Sequence, residues 1–335
     1  MKAEQHLNKP NIAVLGGGYT SERQISLNSA KQVFDSIDNK RFNAYLIDVT
    51  TEGMFFLTDN DRISVDLNSF SINIDNNIII FDFAYIVLHG SPGEDGKIQG
   101  YFDIMNIPYS SCGVFTSSLT FNKVACKKIL ADSGITMAKS TVIHKEECFS
   151  VDEIISMVGL PCFVKPNTSG SSYGITKVYE KEEFIDAVNK AAEEDSTIIV
   201  EEFIKGTEVS CGILKTSKNI HIFPVTEIYT KNDYFDTEAK YTPGFTEEIT
   251  PARITKEETK LVQENTSIIY DELECKGIVR VDYIIKNGVP YFLEINSIPG
   301  MSAESIIPKQ IRSAGKTIAE ILSEVIDDGL LNPTK

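Results

Sequence analysis

The stretch Gly277–Pro308, GIVRVDYIIKNGVPYFLEINSIPGMSAESIIP, decides how this chain reads. Runs rich in β-branched and aromatic residues flank Asn287-Gly288, a pair suited to the positive φ of a tight turn, so the stretch reads as a β-hairpin. Four polar residues interrupt the apolar runs: Arg280 and Asp282 on the first strand, Glu294 and Asn296 on the second. Alternate residues of a strand share a face, so each pair lies on one side. Whether the two pairs share the same side depends on the turn. A two-residue loop sets Asp282 opposite Leu293 and turns Glu294 away, whereas a loop of odd length brings all four together. We read the loop as odd. Two carboxylates and a carboxamide oxygen on one surface are hard ligands, suited to Mg2+ and nucleotide phosphates rather than zinc, and Arg280 beside them suits phosphate oxygens. The competing reading is the solvated outer face of a hairpin. The turn-rich segment Ser297–Ser302 weighs against it, because its backbone N–H groups are available to a developing negative charge.

Composition narrows the classes. With 335 residues, 42% hydrophobic and 24% charged, the chain has material for two or three domains with cores of their own. A net charge of -16 argues against a nucleic-acid surface, so any phosphate site is built from a few local lysines. The six cysteines, Cys112, Cys126, Cys148, Cys162, Cys211 and Cys275, form no CxxC pair, and the four histidines show no ligand spacing. They read as reduced, mostly buried thiols. The most apolar run, Ile78–Leu88, is too short to span a membrane and contains Asp82, and MKAEQHLNKP lacks an apolar signal segment. A cytoplasmic protein with no membrane or nucleic-acid partner is expected.

Upstream, Asn11–Leu15 reads as a buried strand, Gly16-Gly17-Gly18 as its turn, Ser21–Ile37 as a helix and Ala44–Val49 as a second strand, the opening of an α/β domain. A dinucleotide fingerprint needs a glycine at Ser21 and is incomplete. Glu22 stands in the first helical turn, where an acid also simply suits the macrodipole. The strand Phe83–Leu88 runs into HGSPGEDGKIQG, His89–Gly100, whose four glycines mark a backbone that turns tightly or approaches something. Ser117–Asp132 reads as a helix bearing Lys123, with Lys127 and Lys128 as surface lysines. Lys165, on an otherwise apolar strand Pro161–Pro166, needs a partner. The loop NTSGSSYG, Asn167–Gly174, is built to close over phosphates, although no Walker A motif accompanies it: Gln310 stands where the first glycine before Gly315-Lys316-Thr317 belongs. A strand Ile175–Tyr179, an amphipathic helix Lys181–Glu194 and a strand Thr197–Phe203 follow. Asp233–Pro251 is long, polar and without periodicity, as in a lid, and the helix Lys256–Glu274 leads back to the hairpin.

Taken together, GGGYTSERQISLNSA, the H-G-x-x-G-E-D-G-x-x-Q-G run from His89, and RVDYII followed by FLEINSIPGMSAESIIP resemble the D-alanine:D-alanine ligases of the ATP-grasp superfamily, in order along the whole chain. The resemblance implies a mixed α/β fold of three domains: a Rossmann-like N-terminal domain (1–115) with the first D-alanine site, a central ATP-grasp subdomain (116–205), and a C-terminal subdomain (206–335) with the metal site and lid. It implies ligation of two D-alanines through an acyl phosphate, for peptidoglycan precursors, or, as alternatives, a D-lactate or D-serine acceptor or a catalytically silent nucleotide-binding protein. The implied catalytic set is Glu22, Ser171, Tyr241, Arg280 and the Gly300 N–H. Glu22, His89, Ser305 and Ile306 are implied for substrate, Ile306 standing where leucine is usual. Lys123, Lys165, Ser172, Glu201, Phe203, Glu208 and Lys240 are implied for ATP, with Asn122 replacing the usual Asp before the first lysine. Asp282, Glu294 and Asn296 are implied as ligands of two Mg2+ ions, with Mn2+ as a substitute. A homodimer is implied by the same resemblance.

Overall fold

The computed structural model of the chain describes residues 9–58, 61–168, 170, 173–230 and 246–332, which form two compact units. One holds residues up to 114 with 216–219 and 298–335; the other holds 115–215 and 220–297. Among the described residues no helix is long and apolar enough to cross a membrane.

The first unit begins with β1 (Asn11–Gly17), α1 (Arg23–Ser36) and β2 (Asn43–Thr50). There follow β3 (Gly53–Leu57), β4 (Arg62–Ser64), β5 (Ser71–Ile74), β6 (Asn77–Ile80), β7 (Phe83–Ile86) and α2 (Lys97–Met105). Buried apolar strands pair parallel through helical crossovers. Here β1 lies between β2 and β7, parallel to both, and the sheet runs β4-β3-β2-β1-β7. β5 and β6 form a separate hairpin, so the apolar run Ile78–Leu88 is divided between two strands. Gly17 ends β1 at φ +98°, and a Cβ there would lie 2.5 Å from Asp48 Oδ1. Asp48 instead accepts both bonds of Arg23 Nη2 at 2.7 Å, which ties the first turn of α1, and with it Glu22, to β2.

The second unit begins with α3 (Val114–Phe121) and α4 (Lys123–Ile129). The sequence predicts one continuous helix here. Asn122 breaks it: its backbone is extended, and its Oδ1 accepts the Ala125 N–H at 2.9 Å, which caps a new helix. Next come β8 (Ser140–His144), α5 (Val151–Val158), β9 (Cys162–Pro166), β10 (Thr176–Val178), α6 (Phe184–Ala191) and β11 (Thr197–Glu202). The four strands form an antiparallel sheet in the order β10-β9-β11-β8. Cys162, Val164, Ile198 and Val200 meet α5 and α6 in one core. Period two therefore leaves Phe163, Lys165, Lys177 and Glu201 on the face away from those helices.

The unit continues through β12 (Thr207–Lys215), β13 (Ile220–Ile222), β14 (Thr226–Thr230), β15 (Thr246–Ile249), α7 (Lys256–Glu272), β16 (Ile278–Lys286) and β17 (Val289–Asn296). Their sheet runs β15-β14-β12-β16-β17, with β13 beside β12, and α7 packs against β12, β16 and β17. The end of the expected lid stretch is thus not loop but β15, paired antiparallel to β14; residues 231–245 lie outside the described set. The chain then returns to the first unit with α8 (Ile306–Ser313) and α9 (Ile318–Leu331). The reading from sequence groups 298–335 with 206–297, but α9 packs on β7 and α1. Its Ile321, Leu322 and Ile326 are fully buried, and Arg41 Nη2 holds Asp327 at 2.7 Å.

The cysteines form no disulfide, and all but Cys148 are buried. Burial pushes the thiols of Cys126 and Cys211 up to about 12 and that of Cys162 to about 11, which makes them inert packing residues.

Candidate active site

The β16–β17 hairpin corrects one inference and keeps its consequence. Lys286 pairs with Val289 across Asn287 (φ +52°) and Gly288 (φ +79°), so the loop has two residues, not an odd number. Asp282 nevertheless faces Glu294, and Arg280 faces Asn296. The register shifts between Asp282 and Tyr283, where Leu293 is an extra residue on β17. A β-bulge changes the count by one, as an odd loop would, and returns the four polar side chains to one face.

That face extends further than the hairpin reading showed. Ser210 pairs with Asp282, and Glu208, Ile228 and Glu248 pair in a row across β12, β14 and β15. Asp282 is buried and accepts Arg280 Nε (2.9 Å) and Nη2 (2.7 Å), Asn296 Nδ2 (3.1 Å) and Ser210 Oγ. Burial alone lowers the Arg280 pKa, but Asp282, then Glu294 and Glu248, raise it further, so the guanidinium stays charged. Ser210 and Glu248 were missed because only cross-strand register brings them here. The even-numbered spacing of Glu208 and Ser210 on one strand was the available signal.

On the other sheet of this unit, the partner that Lys165 requires is Glu201. Its carboxylate accepts Lys165 Nζ at 2.7 Å and Lys127 Nζ at 2.5 Å, with all three side chains at most 12% exposed. Burial opposes the charged Glu201, but Lys165 and Lys127 outweigh it and hold the carboxyl down at about 2. Lys127, read from sequence as a surface lysine, is instead largely enclosed, its side chain 12% exposed; Lys128 is exposed. The four-residue spacing from Lys123, which places both on one helix face, was the signal for it. Asn167 latches the start of α4 to the end of β9: its carbonyl accepts the Lys123 N–H (3.2 Å) and its Oδ1 the Val124 N–H (2.9 Å). Beyond Glu201, Phe203 receives the Lys177 ammonium 3.6 Å from its ring centre.

In the first unit, the segment after Ser297 folds over His89. The buried His89 sits with Nδ1 3.1 Å from the Ile298 carbonyl and Nε2 3.5 Å from Ser29 Oγ, which accepts the Met301 N–H at 3.2 Å. We assign the Nδ1-protonated tautomer, since it lets the ring donate to the carbonyl and accept from the serine. Ile298 is itself part of the unit's core, beside Leu15, Leu88 and Phe102. Gly300 approaches Ser305 so closely that a Cβ would lie 2.9 Å from the hydroxyl. Ser305 is the N-cap residue of α8 and shares a 2.7 Å hydrogen bond with Ser302, while Ile306 is buried. Glu22 is the N-cap residue of α1 and makes no side-chain cap bond. Ser171, Ser172, Lys240 and Tyr241 lie outside the described residues.

Family models described as D-ala D-ala ligase N-terminus and C-terminus match residues 11–112 and 129–327. A D-alanine--D-alanine ligase of Azobacteroides pseudotrichonymphae is 48% identical over 321 residues, covering 95% of this chain and 99% of the relative. That of Parabacteroides distasonis is 47% identical over 97% of this chain and 98% of its own. Among solved structures, the VanG D-Ala:D-Ser ligase of Enterococcus faecalis superposes with a TM-score of 0.84 at 32% identity, covering 95% of this chain and 99% of that one. The Bacillus anthracis D-alanine--D-Alanine ligase complexed with ATP gives 0.79 at 30%, covering 97% and 98%. The fold is the mixed α/β ATP-grasp architecture, a class of ATP-dependent ligases. Within that class, the chain belongs to the D-alanine–D-alanine ligase family.

Proposed function

We propose that this chain joins two D-alanines at the expense of ATP, with the first carboxylate phosphorylated to an acyl phosphate and the second amine attacking it. The observation that carries this reading is the Arg280–Asp282–Glu294–Asn296 face on a helix-backed antiparallel sheet. In phosphoryl and acyl transfer the protein works mainly by positioning and charge. Arg280, held bidentate by Asp282, is rigid enough to take a phosphoryl oxygen or the tetrahedral oxyanion, and the Gly300 N–H is assigned to that same oxyanion. Glu22 binds the first amino group, His89 lies near the first substrate, and Ser305 with the Ile306 backbone takes the second carboxylate. Lys123, Lys165 and Lys240 bind phosphates, Ser172 belongs to the same ATP set, Glu201 and Phe203 flank adenine, and Glu208 holds the ribose. Tyr241 and Ser171, outside the described residues, are assigned with Glu22 to the catalytic set by the same resemblance.

Mg2+ suits the oxygen donors of Asp282, Glu294 and Asn296, and two ions are expected, with Mn2+ compatible. Among the described residues no three His, Cys, Asp or Glu side chains cluster as a metal cage. Mg2+ is typically held by one or two carboxylates and completes its shell with phosphates and water. Bound there, it would neutralise charge on the transferring phosphate. A homodimer and a cytoplasmic setting accompany the reading by family resemblance.

The test is product analysis of the purified chain with ATP and D-alanine, alone and in competition with D-serine or D-lactate. We expect ADP and D-alanyl-D-alanine in equal amounts. A predominant D-alanyl-D-serine or depsipeptide product, or no ADP release, would overturn the reading.

A further inference from the structure

The Lys127–Glu201–Lys165 cluster holds two ammonium groups on one carboxylate, and all three side chains are nearly inaccessible to water. A buried cluster with one surplus positive charge is costly until an anion joins it. The two lysines are not held alike. Lys127 also donates to the Ala138 carbonyl at 3.0 Å, so it is anchored on both sides of its ammonium. Lys165 rises from β9, paired to Glu201 at 2.7 Å and lying 5.1 Å from the Phe163 ring centre. An incoming phosphate therefore draws on Lys165 more easily than on Lys127. When Lys165 turns to the phosphate, Lys127 keeps Glu201 compensated.

We propose that Lys127 is a positioning residue of the nucleotide site: by neutralising Glu201 it prevents that carboxylate from sequestering Lys165, which then binds phosphate oxygens. Without Lys127 the remaining pair is one-to-one, neutral and buried, and its attraction for phosphate is lost. This rests on the ligase reading above, and the readout is chosen to be independent of peptide formation.

The experiment is calorimetric titration of the full-length protein with Mg-ATP in the absence of D-alanine, joined to steady-state KM and kcat for ATP. Lys127→Met should weaken ATP binding by about tenfold or more and raise KM in parallel, with a smaller change in kcat, while Lys127→Arg stays near wild type. A purely structural lysine would lower the melting temperature without this split. The second arm uses Glu201→Gln, whose amide cannot sequester Lys165 as a carboxylate does. In that background Lys127→Met should change ATP affinity by no more than about threefold. Equal losses in both backgrounds, or wild-type affinity for Lys127→Met alone, would overturn the proposal, as would wild-type protein that binds no ATP. Wild-type protein that binds ATP, shows this pattern and makes no dipeptide would sink the ligase reading and leave the role of Lys127 supported.

Discussion

Arg280 and Asp282 form a rigid pair, and of the two acids on this face Glu294, the cross-strand neighbour of Asp282, has the less protein compensation. Replacing it with glutamine keeps the shape and removes the charge that a hard cation needs. Glu294→Gln is expected to fold normally and to lose on the order of 100-fold or more in kcat, measured as ADP release. Wild-type turnover in the folded variant would remove Glu294 from the metal site. Glu201 offers a pH test. Its folded pKa, about 2, lies below the ordinary value of 4.5, so its contribution to stability is full above about 4.5 and is lost as pH falls toward about 2. The stability difference between wild type and Glu201→Gln, from urea unfolding, should be largest at neutral pH and shrink over that window. A difference that is constant from pH 7 to pH 3 would show that the two lysines do not depress this carboxyl.

At the scale of elements, two local devices align the site. The Asn122 cap starts α4 where Lys123 and Lys127 fall one turn apart, and Asn167 latches that start to β9. Asn122→Ala should cost about 1 kcal/mol of stability and also weaken ATP binding, because the helix bearing both lysines loses its cap. Asn122→Asp should be near neutral, since a carboxylate caps as well as a carboxamide. Urea denaturation and ATP titration of both variants check this, and equal behaviour of the two would refute the cap argument. The other device is the bulge at Leu293. Element positions were largely legible, because buried strands and amphipathic helices leave period-two and period-3.6 patterns. The bulge was not: Leu293 is one apolar residue among several, and nothing local marks it as the one left unpaired.

At the scale of the molecule, the first unit is assembled from two ends of the chain. α9 packs on β7 and α1, and Gly329 lies so close that a Cβ would stand 2.4 Å from Phe83 Cε2. Residues 1–114 alone should therefore not fold cooperatively, whereas the same segment supplied with 298–335 should. Circular dichroism melting of the two fragments tests this; a sharp transition for 1–114 alone would contradict it. Gly329→Leu in the full chain should destabilise by about 1–3 kcal/mol through overpacking, read as a lowered melting temperature.

The class of chemistry is written in the local sequence. Hard oxygen donors, a strand-borne arginine and a buried-looking lysine are each recorded by residue type and spacing, and they stand in Arg280, Asp282, Glu294, Asn296 and Lys165. Which groups meet depends on the fold. Lys127 on a helix and Lys165 on a strand share Glu201, and Ser210 and Glu248 reach the hairpin's face only through strand register. Ser29 supports Met301 from the other end of the chain. These pairings depend on free energies of burial and charge compensation that arise only once distant segments exclude water together, and no one-dimensional pattern records them.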